Sequence, residues 1–476
     1  RQRQMCIRDR RKVALNNTPT ATNSPAKLQR HLALWHIIII GLAYIQPMTV
    51  FDTFGLVSEA SHQHVPTSYI IALIAILLTS LSYGSMIRRY PSAGSAYTYA
   101  QKSIHPNVGF MVGWSSWLDY LLSPLVNIIL AVIYLEALFP DVNKWIWVFI
   151  LTGFMTWINV HGSKVVAYFN SWIVFIQLLI IGVFTWLVYS KLMAGTNADG
   201  TINDAAYQLW SLKPFWSDMA NMTALISGAT ILCFSFTGFD SLSSLAEETK
   251  DVQKTLPKAI FLTALIAGIV FIISTYFMQI YFPQPPDKYF PDVAATQPDI
   301  LMLVGGSAFQ AAVLGFAIVT VMASGISAHA GVSRLMYVMG RDGVINKRIF
   351  GHIHPKYLTP TYNIYIAGVI ALTAGFIEFD VIAHLISFGA LTAFSFVNLS
   401  VIATYIIREK RYHSAYDLFM YLIVPLLGFI SVALMWKESE PIAIKMGLSW
   451  AVIGLIYLAF KTGGFKRHPP MHNEHE

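Results

Sequence analysis

The chain alternates long, continuous apolar runs with short polar connectors. A bilayer-crossing helix needs roughly 20 predominantly apolar residues, because in lipid every backbone polar group must be satisfied within its own segment. Twelve runs are of that order: Leu34 to Val57, Thr67 to Ile87, Asn107 to Leu138, Trp145 to Ser163, Val165 to Tyr189, Met222 to Ala246, Lys258 to Phe282, Gly306 to Ser333, Thr361 to Ile377, Val381 to Ile407, Leu418 to Trp436 and Lys445 to Phe460. The longest gap, Ser190 to Asn221, is 32 residues, too short for a soluble domain. The expected fold class is therefore all-α integral membrane with twelve transmembrane helices, which places both termini on one face. The first run leads straight into further spans and lacks a small-residue cleavage site, so it reads as a span and not a signal peptide.

Composition agrees: 55% of the 476 residues are hydrophobic and 12% charged, about half the charge usual for a soluble domain. An aqueous enzyme is excluded. Cys6 lies in the leading tail and Cys233 inside a span, so the two cysteines do not pair. The net charge of +7 is distributed, not clustered. With the termini inside, the inner segments carry 20 Lys and Arg and the outer segments six. That bias puts both termini in the cytoplasm of a bacterial inner membrane. Outer loops hold twelve acids against those six bases, a surface that attracts cations. Lipids and a small molecule are the expected partners, nucleic acid is not, and no cofactor or metal is implied. The opening RQRQMCIRDRRK is unlike the rest and is read as a gene-model or cloning extension.

Ionisable groups inside spans cost at least ~2.5 kcal/mol near the centre, so each is a functional candidate. Glu136 and Asp52 fall toward outer span ends, where they can reach water. Asp119 and Asp240 are deeper, and no Lys or Arg lies inside a span to pair with them. A buried acid without a cation is neutral, hydrated, or receives a cation from outside the protein.

Two spans carry helix-breaking residues at their centres. GLAYIQPMTVFDTFG, Gly41 to Gly55, contains Pro47, which removes a backbone donor. ATILCFSFTGFDSLSS, Ala229 to Ser244, contains Gly238 between Thr237 and Phe239. Interrupted helices at matching positions in two halves point to a transporter's midplane site. Spans one and six start about 188 residues apart and each opens a block of five. An odd number per block inserts the second upside down, an inverted repeat. The expected organisation is a tail at 1–33, spans one to five at 34–189, an extracytoplasmic loop at 190–221, spans six to ten at 222–407, two added spans at 408–461 and a tail at 462–476.

SFTGFDSLSSLAEETKDVQKTLPKAI, Ser235 to Ile260, resembles the sixth span and following loop of the amino acid, polyamine and organocation transporter superfamily. PSAGSAYTYAQKSIHPNVGFMVGWSSWLDY, Pro91 to Tyr120, resembles its loop and third span, and SRLMYVMGRDG, Ser333 to Gly343, the inner end of its eighth. With GLAYIQPMTVFDTFG the likeness is to the bacterial putrescine importers, over Leu28 to Pro470. It implies five plus five inverted helices, the first and sixth broken, two appended spans, and putrescine uptake by alternating access. By the same likeness Asp240 is the acid facing substrate beside the sixth-span break at Gly238, Phe234 an aromatic gate, and Tyr120 a third-span aromatic implicated in uptake.

Two departures from the superfamily are informative. Amino-acid carriers commonly have a Gly/Ser-rich first break whose bare amides bind a carboxylate, whereas Ala43 to Pro47 is bulkier and Pro47 has no amide hydrogen. A diamine has no carboxylate to lose. Gln177 stands near where some proton-coupled relatives place a lysine, and glutamine cannot titrate, so a proton remains a candidate coupling ion without an assigned carrier.

A four-carbon diamine wants an acid at each end and aromatic walls between. Asp240 and Asp119 are the expected acids, or carbonyls freed at the first break in place of Asp119. Tyr44, Tyr120 and Phe234 are the expected cation–π faces, at about 0.5–2 kcal/mol each. Glu247 and Glu248 are gate candidates with Arg88, Arg89 or Lys254. His329, with Ser324 and Ser327 a turn away, relays a proton or bonds a carbonyl. Two charges crossing 100 mV release about 4.6 kcal/mol, so the membrane potential alone can drive accumulation. The alternatives are a basic amino-acid or amine permease or exchanger and, more remotely, a membrane enzyme or channel.

Overall fold

The computed structural model describes residues 32–466 apart from 92–94, 162–165, 199–208, 342, 344 and 358. Most of the two expected tails with residues 1–12, part of the 190–221 loop, Lys164 and the side chain of Glu247 lie outside the described residues. The described elements are helical, joined by turns and one isolated bridge.

In chain order these are α1 (Leu34–Ile45), α2 (Thr49–Ala60), α3 (Val65–Arg89), α4 (Ser95–Ser103), α5 (Pro106–Leu138), α6 (Lys144–His161), α7 (Val166–Met193) and α8 (Met222–Phe236). There follow α9 (Val252–Tyr281), α10 (Gln297–Arg341), α11 (Thr361–Ala371), α12 (Phe379–Val401), α13 (Val424–Lys437) and α14 (Pro441–Lys461), with shorter turns between them. Among the described residues nine helices are long and apolar enough to cross a membrane, ten if α1 and α2 make one span. The protein is thus an all-helical, multi-pass membrane protein.

Two of the twelve expected spans fall outside that count for physical reasons. α6 has 18 residues, but Lys144, Asn159, His161 and its tryptophans dilute its apolar character. α11 is apolar and short, 11 residues continued by a four-residue 3-10 turn.

The first span breaks as its sequence predicts, one residue earlier. α1 and α2 are bent by 52°, and Gln46, not Pro47, takes the left-handed conformation at φ 51°. The ring of Pro47 bars Gln46 from the helical region. In the sixth span α8 stops at Phe236, Thr237 is extended, and Gly238 sits at φ +109°. The chain then re-enters as a 3-10 helix, Ser241–Glu247, with Asp240 at its N-cap. α10 is 45 residues long and divided at Gly306, φ 76°, so the expected start of the eighth span is a joint.

The largest interfaces pair α9 with α3 and α10 with α5. α14 is fixed to α5 reciprocally: Trp114 Nε1 donates to the Trp450 carbonyl and Trp450 Nε1 to that of Trp114, both at 2.9 Å. Large apolar side chains point outward from α7, α13 and α14, among them Trp172, Phe175, Leu434 and Val452, as lipid-facing helices require.

Candidate substrate site

The two breaks meet at the centre of the bundle. A Cβ on Gly238 would lie 2.9 Å from Cβ of Tyr44, so the sixth-span break rests directly on the last turn of α1. The segments leading out of this junction are joined as well: Leu32 N donates to the Glu248 carbonyl and Lys250 N to that of Leu32, both at 3.0 Å.

Asp240 and Asp119 are each 8% exposed and close enough to interact electrostatically. Asp240 stands at the N-cap of the 3-10 helix, and its side chain makes no capping hydrogen bond there. Asp119 Oδ1 is buried with no hydrogen-bond partner. No ion pair reaches either acid among the described residues.

α5 presents its polar residues on one face at four-residue spacing. Ser123 Oγ donates to the Asp119 carbonyl at 2.9 Å, Asn127 Nδ2 to that of Ser123 at 2.8 Å, and Gln46 Nε2 to Asn127 Oδ1 at 3.2 Å. Gln46 and Asn127 belong to the site, though neither is a charge that sequence reasoning would single out. The hydroxyl of Tyr120 lies 3.3 Å from Ser241 Oγ, so that ring borders the acidic break. Tyr44 is 42% exposed and within electrostatic reach of Arg334 on α10. Phe234 is buried against Phe379, ring centroids 5.6 Å apart.

At the first break every amide is already used. Gln46 N donates to the Leu42 carbonyl at 3.1 Å and Thr49 N to that of Gln46 at 2.9 Å, Pro47 has none, and Met48 N donates to Gln177 Oε1 at 3.3 Å. Gln177, fully buried on α7, therefore braces the break. The first break therefore offers no nest for a substrate carboxylate.

The remaining candidates sit elsewhere. His329 Nε2 is 2.8 Å from the Ile364 carbonyl. A carbonyl only accepts, so this nitrogen carries the proton and His329 joins α10 to α11. Ser324 is half-buried on α10, beside Gly325, where a Cβ would approach that of Asn127 to 3.1 Å. Glu248 is half-buried, and Arg89 pairs with Glu409 at 2.7 Å instead; Arg411 Nε meets the other oxygen of Glu409 at 2.9 Å. Asp52 corrects its expected place near water: it is 5% exposed, because the loop between α9 and α10 covers the α2 half of the first span.

The amino acid permease family model matches residues 36–458. The chain belongs to the amino acid permease family. The permease is 52% identical over 462 residues to the low-affinity putrescine importer PlaP of Escherichia coli (strain K12), covering 97% of its own chain and 100% of that protein. It is 47% identical over 197 residues to a probable low-affinity putrescine importer PlaP of Klebsiella pneumoniae, covering 41% of its own chain and 99% of that one. Likeness to the branched-chain amino acid permease BcaP of Bacillus subtilis (strain 168) is 25%, over 94% of this chain and 96% of that protein. The permease is a transporter and not an enzyme.

Proposed function

We propose that this permease imports putrescine across the bacterial inner membrane by alternating access, with Asp240 and Asp119 receiving the two ammonium groups. The observation that carries the reading is a pair of buried acids with no cation between them among the described residues, set beside a first break whose amides are all engaged. Such a site suits a ligand with two positive ends and no carboxylate. Charge-assisted hydrogen bonds of ammonium to carboxylate contribute about 1.5–3 kcal/mol each. Tyr120 and Tyr44 add faces worth about 0.5–2 kcal/mol. The same engaged amides disfavour a basic amino acid, the second reading, because its carboxylate would meet Asp240 and not a free donor.

In this reading the ten long spans are joined by α6 and α11 to make twelve, with spans one to five and six to ten as inverted repeats and both termini cytoplasmic. Phe234 on Phe379, and the loop over Asp52, close the outer side. The opening beside Tyr44 and Arg334 faces the cytoplasm. Import is coupled to the membrane potential and to a proton. The test is uptake of labelled putrescine by proteoliposomes holding the purified chain, with membrane potential and pH gradient imposed separately. Accumulation driven by the potential, enhanced by an inward proton gradient and unaffected by excess lysine or ornithine, supports the reading. Equal competition by those amino acids would replace it with the second.

A further inference from the structure

We infer that Asp52 is a proton-binding site and that its protonated carboxyl latches the outer half of the first span shut. The inference rests on the import reading for its direction, the Ala60 end of α2 being the outer one.

Asp52 lies in the first turn of α2, buried, and three helices converge on it. The hydroxyl of Tyr134, from α5, is 2.8 Å from Asp52 Oδ1 and 3.1 Å from Oε1 of Gln297, the first residue of α10. A tyrosine has one proton to donate, and a carboxylate and an amide oxygen can only accept. One hydroxyl therefore cannot satisfy an ionised Asp52 and Gln297 Oε1 together. A protonated Asp52 resolves the count: its O–H donates to the Tyr134 oxygen and Tyr134 donates to Gln297. Asp52, Tyr134 and Gln297 Oε1 are then all bonded and no net charge is buried, while Gln297 Nε2 stays buried without a partner.

Among the described residues no ion pair reaches Asp52. α3 brings the phenol of Tyr69, which lies 3.4 Å from Ser235 Oγ on α8. Cys233 of α8 is turned toward Met435. α7 contributes Phe184 against Phe51, and the end of α9 and the loop contribute Phe282 and Phe290 against Phe54. The loop carries Asp287 and Lys288, both exposed, and Asp292 interacts with Asp299 of α10.

Closure and protonation are consequently one equilibrium. α2 is held from outside by Thr296, whose Oγ1 donates to the Phe51 carbonyl at 2.8 Å, and by contact of Gly55 with Thr296 and the Val293 carbonyl. Removing the Asp52 proton leaves an unpaired charge in a dry place, which is relieved only by swinging α2 into water. The closed state binds the proton more tightly, so by linkage external acid favours closure and alkali favours opening.

The test uses the full chain in proteoliposomes, read by infrared spectroscopy and by putrescine uptake at clamped potential. The inference predicts a neutral-carboxyl stretch that Asp52→Asn abolishes and Tyr134→Phe shifts. With closure over bound putrescine as the step that limits import, uptake by the native chain should fall by up to tenfold per pH unit as the outside turns alkaline, the slope of one proton, and Asp52→Asn should lose that slope. A spectrum unchanged in both variants, as an ionised Asp52 with the Gln297 amide turned to donate to Tyr134 would give, overturns the inference. So does a native pH profile in Asp52→Asn. The infrared band needs no substrate: a chain with the band and no putrescine uptake defeats the import reading alone.

Discussion

Gly238→Ala sets a methyl group against two constraints at once. At φ +109° an L side chain strains the backbone by about 1–3 kcal/mol. The added Cβ would lie 2.9 Å from Cβ of Tyr44 and 3.4 Å from its carbonyl carbon, and overpacking of this kind costs another 1–3 kcal/mol or so. The two together come to roughly 2–6 kcal/mol. The chain can escape only by moving α1 away or by rewinding the break, and rewinding takes Asp240 off the N-cap of the 3-10 helix. Even about 2 kcal/mol spent on the transport-competent geometry lowers its population roughly thirtyfold. Labelled putrescine uptake normalised to protein in the membrane reads the effect, and Gly153→Ala is the control, because a methyl there meets nothing within 4 Å. Uptake by Gly238→Ala equal to that of the control would refute the claim that this break must stay unwound against Tyr44.

Two further substitutions separate recognition from bracing. Asp119→Asn should weaken putrescine by about ten- to a hundredfold, the value of one charge-assisted hydrogen bond, and leave a monoamine of equal chain length nearly unaffected; competition assays check the difference, and equal losses would remove Asp119 from the second ammonium. Gln177→Leu deprives the buried Met48 amide of its acceptor, at a cost of about 1–3 kcal/mol; a clear drop in thermal denaturation temperature is expected, and an unchanged one would show that Gln177 does not brace the break.

Long apolar runs declare themselves because the bilayer demands length and apolarity together, and so α3 and α5 were legible to within two residues at each end, while α9 begins at Val252, ahead of the expected Lys258. α6 and α11 were legible only as runs, since tryptophan, Asn159 and His161 weaken one and brevity the other. Pro47 and Gly238 marked both breaks through backbone chemistry alone. The left-handed Gln46 follows from its position before a proline, a rule that acts one residue ahead of the visible signal. The orphaned Asp119 and the uncompensated Asp240 were foreseeable from the absence of basic residues in the spans. What sequence could not supply was contact across the bundle. Asp52 looked near water until the loop before α10 was seen to cover it. Arg89 looked like a partner for Glu248 until Glu409, 320 residues away, was found beside it. Pairings set by tertiary packing leave no local pattern to read.

The account stands on the Asp240 carboxylate as the group that receives an ammonium. Equilibrium binding of labelled putrescine to purified Asp240→Asn, beside the native chain and at equal folded fraction, tests it most directly. The asparagine keeps the volume and loses the charge, so binding should weaken by at least tenfold, about 1.4 kcal/mol. Native-like affinity in that variant would contradict the account.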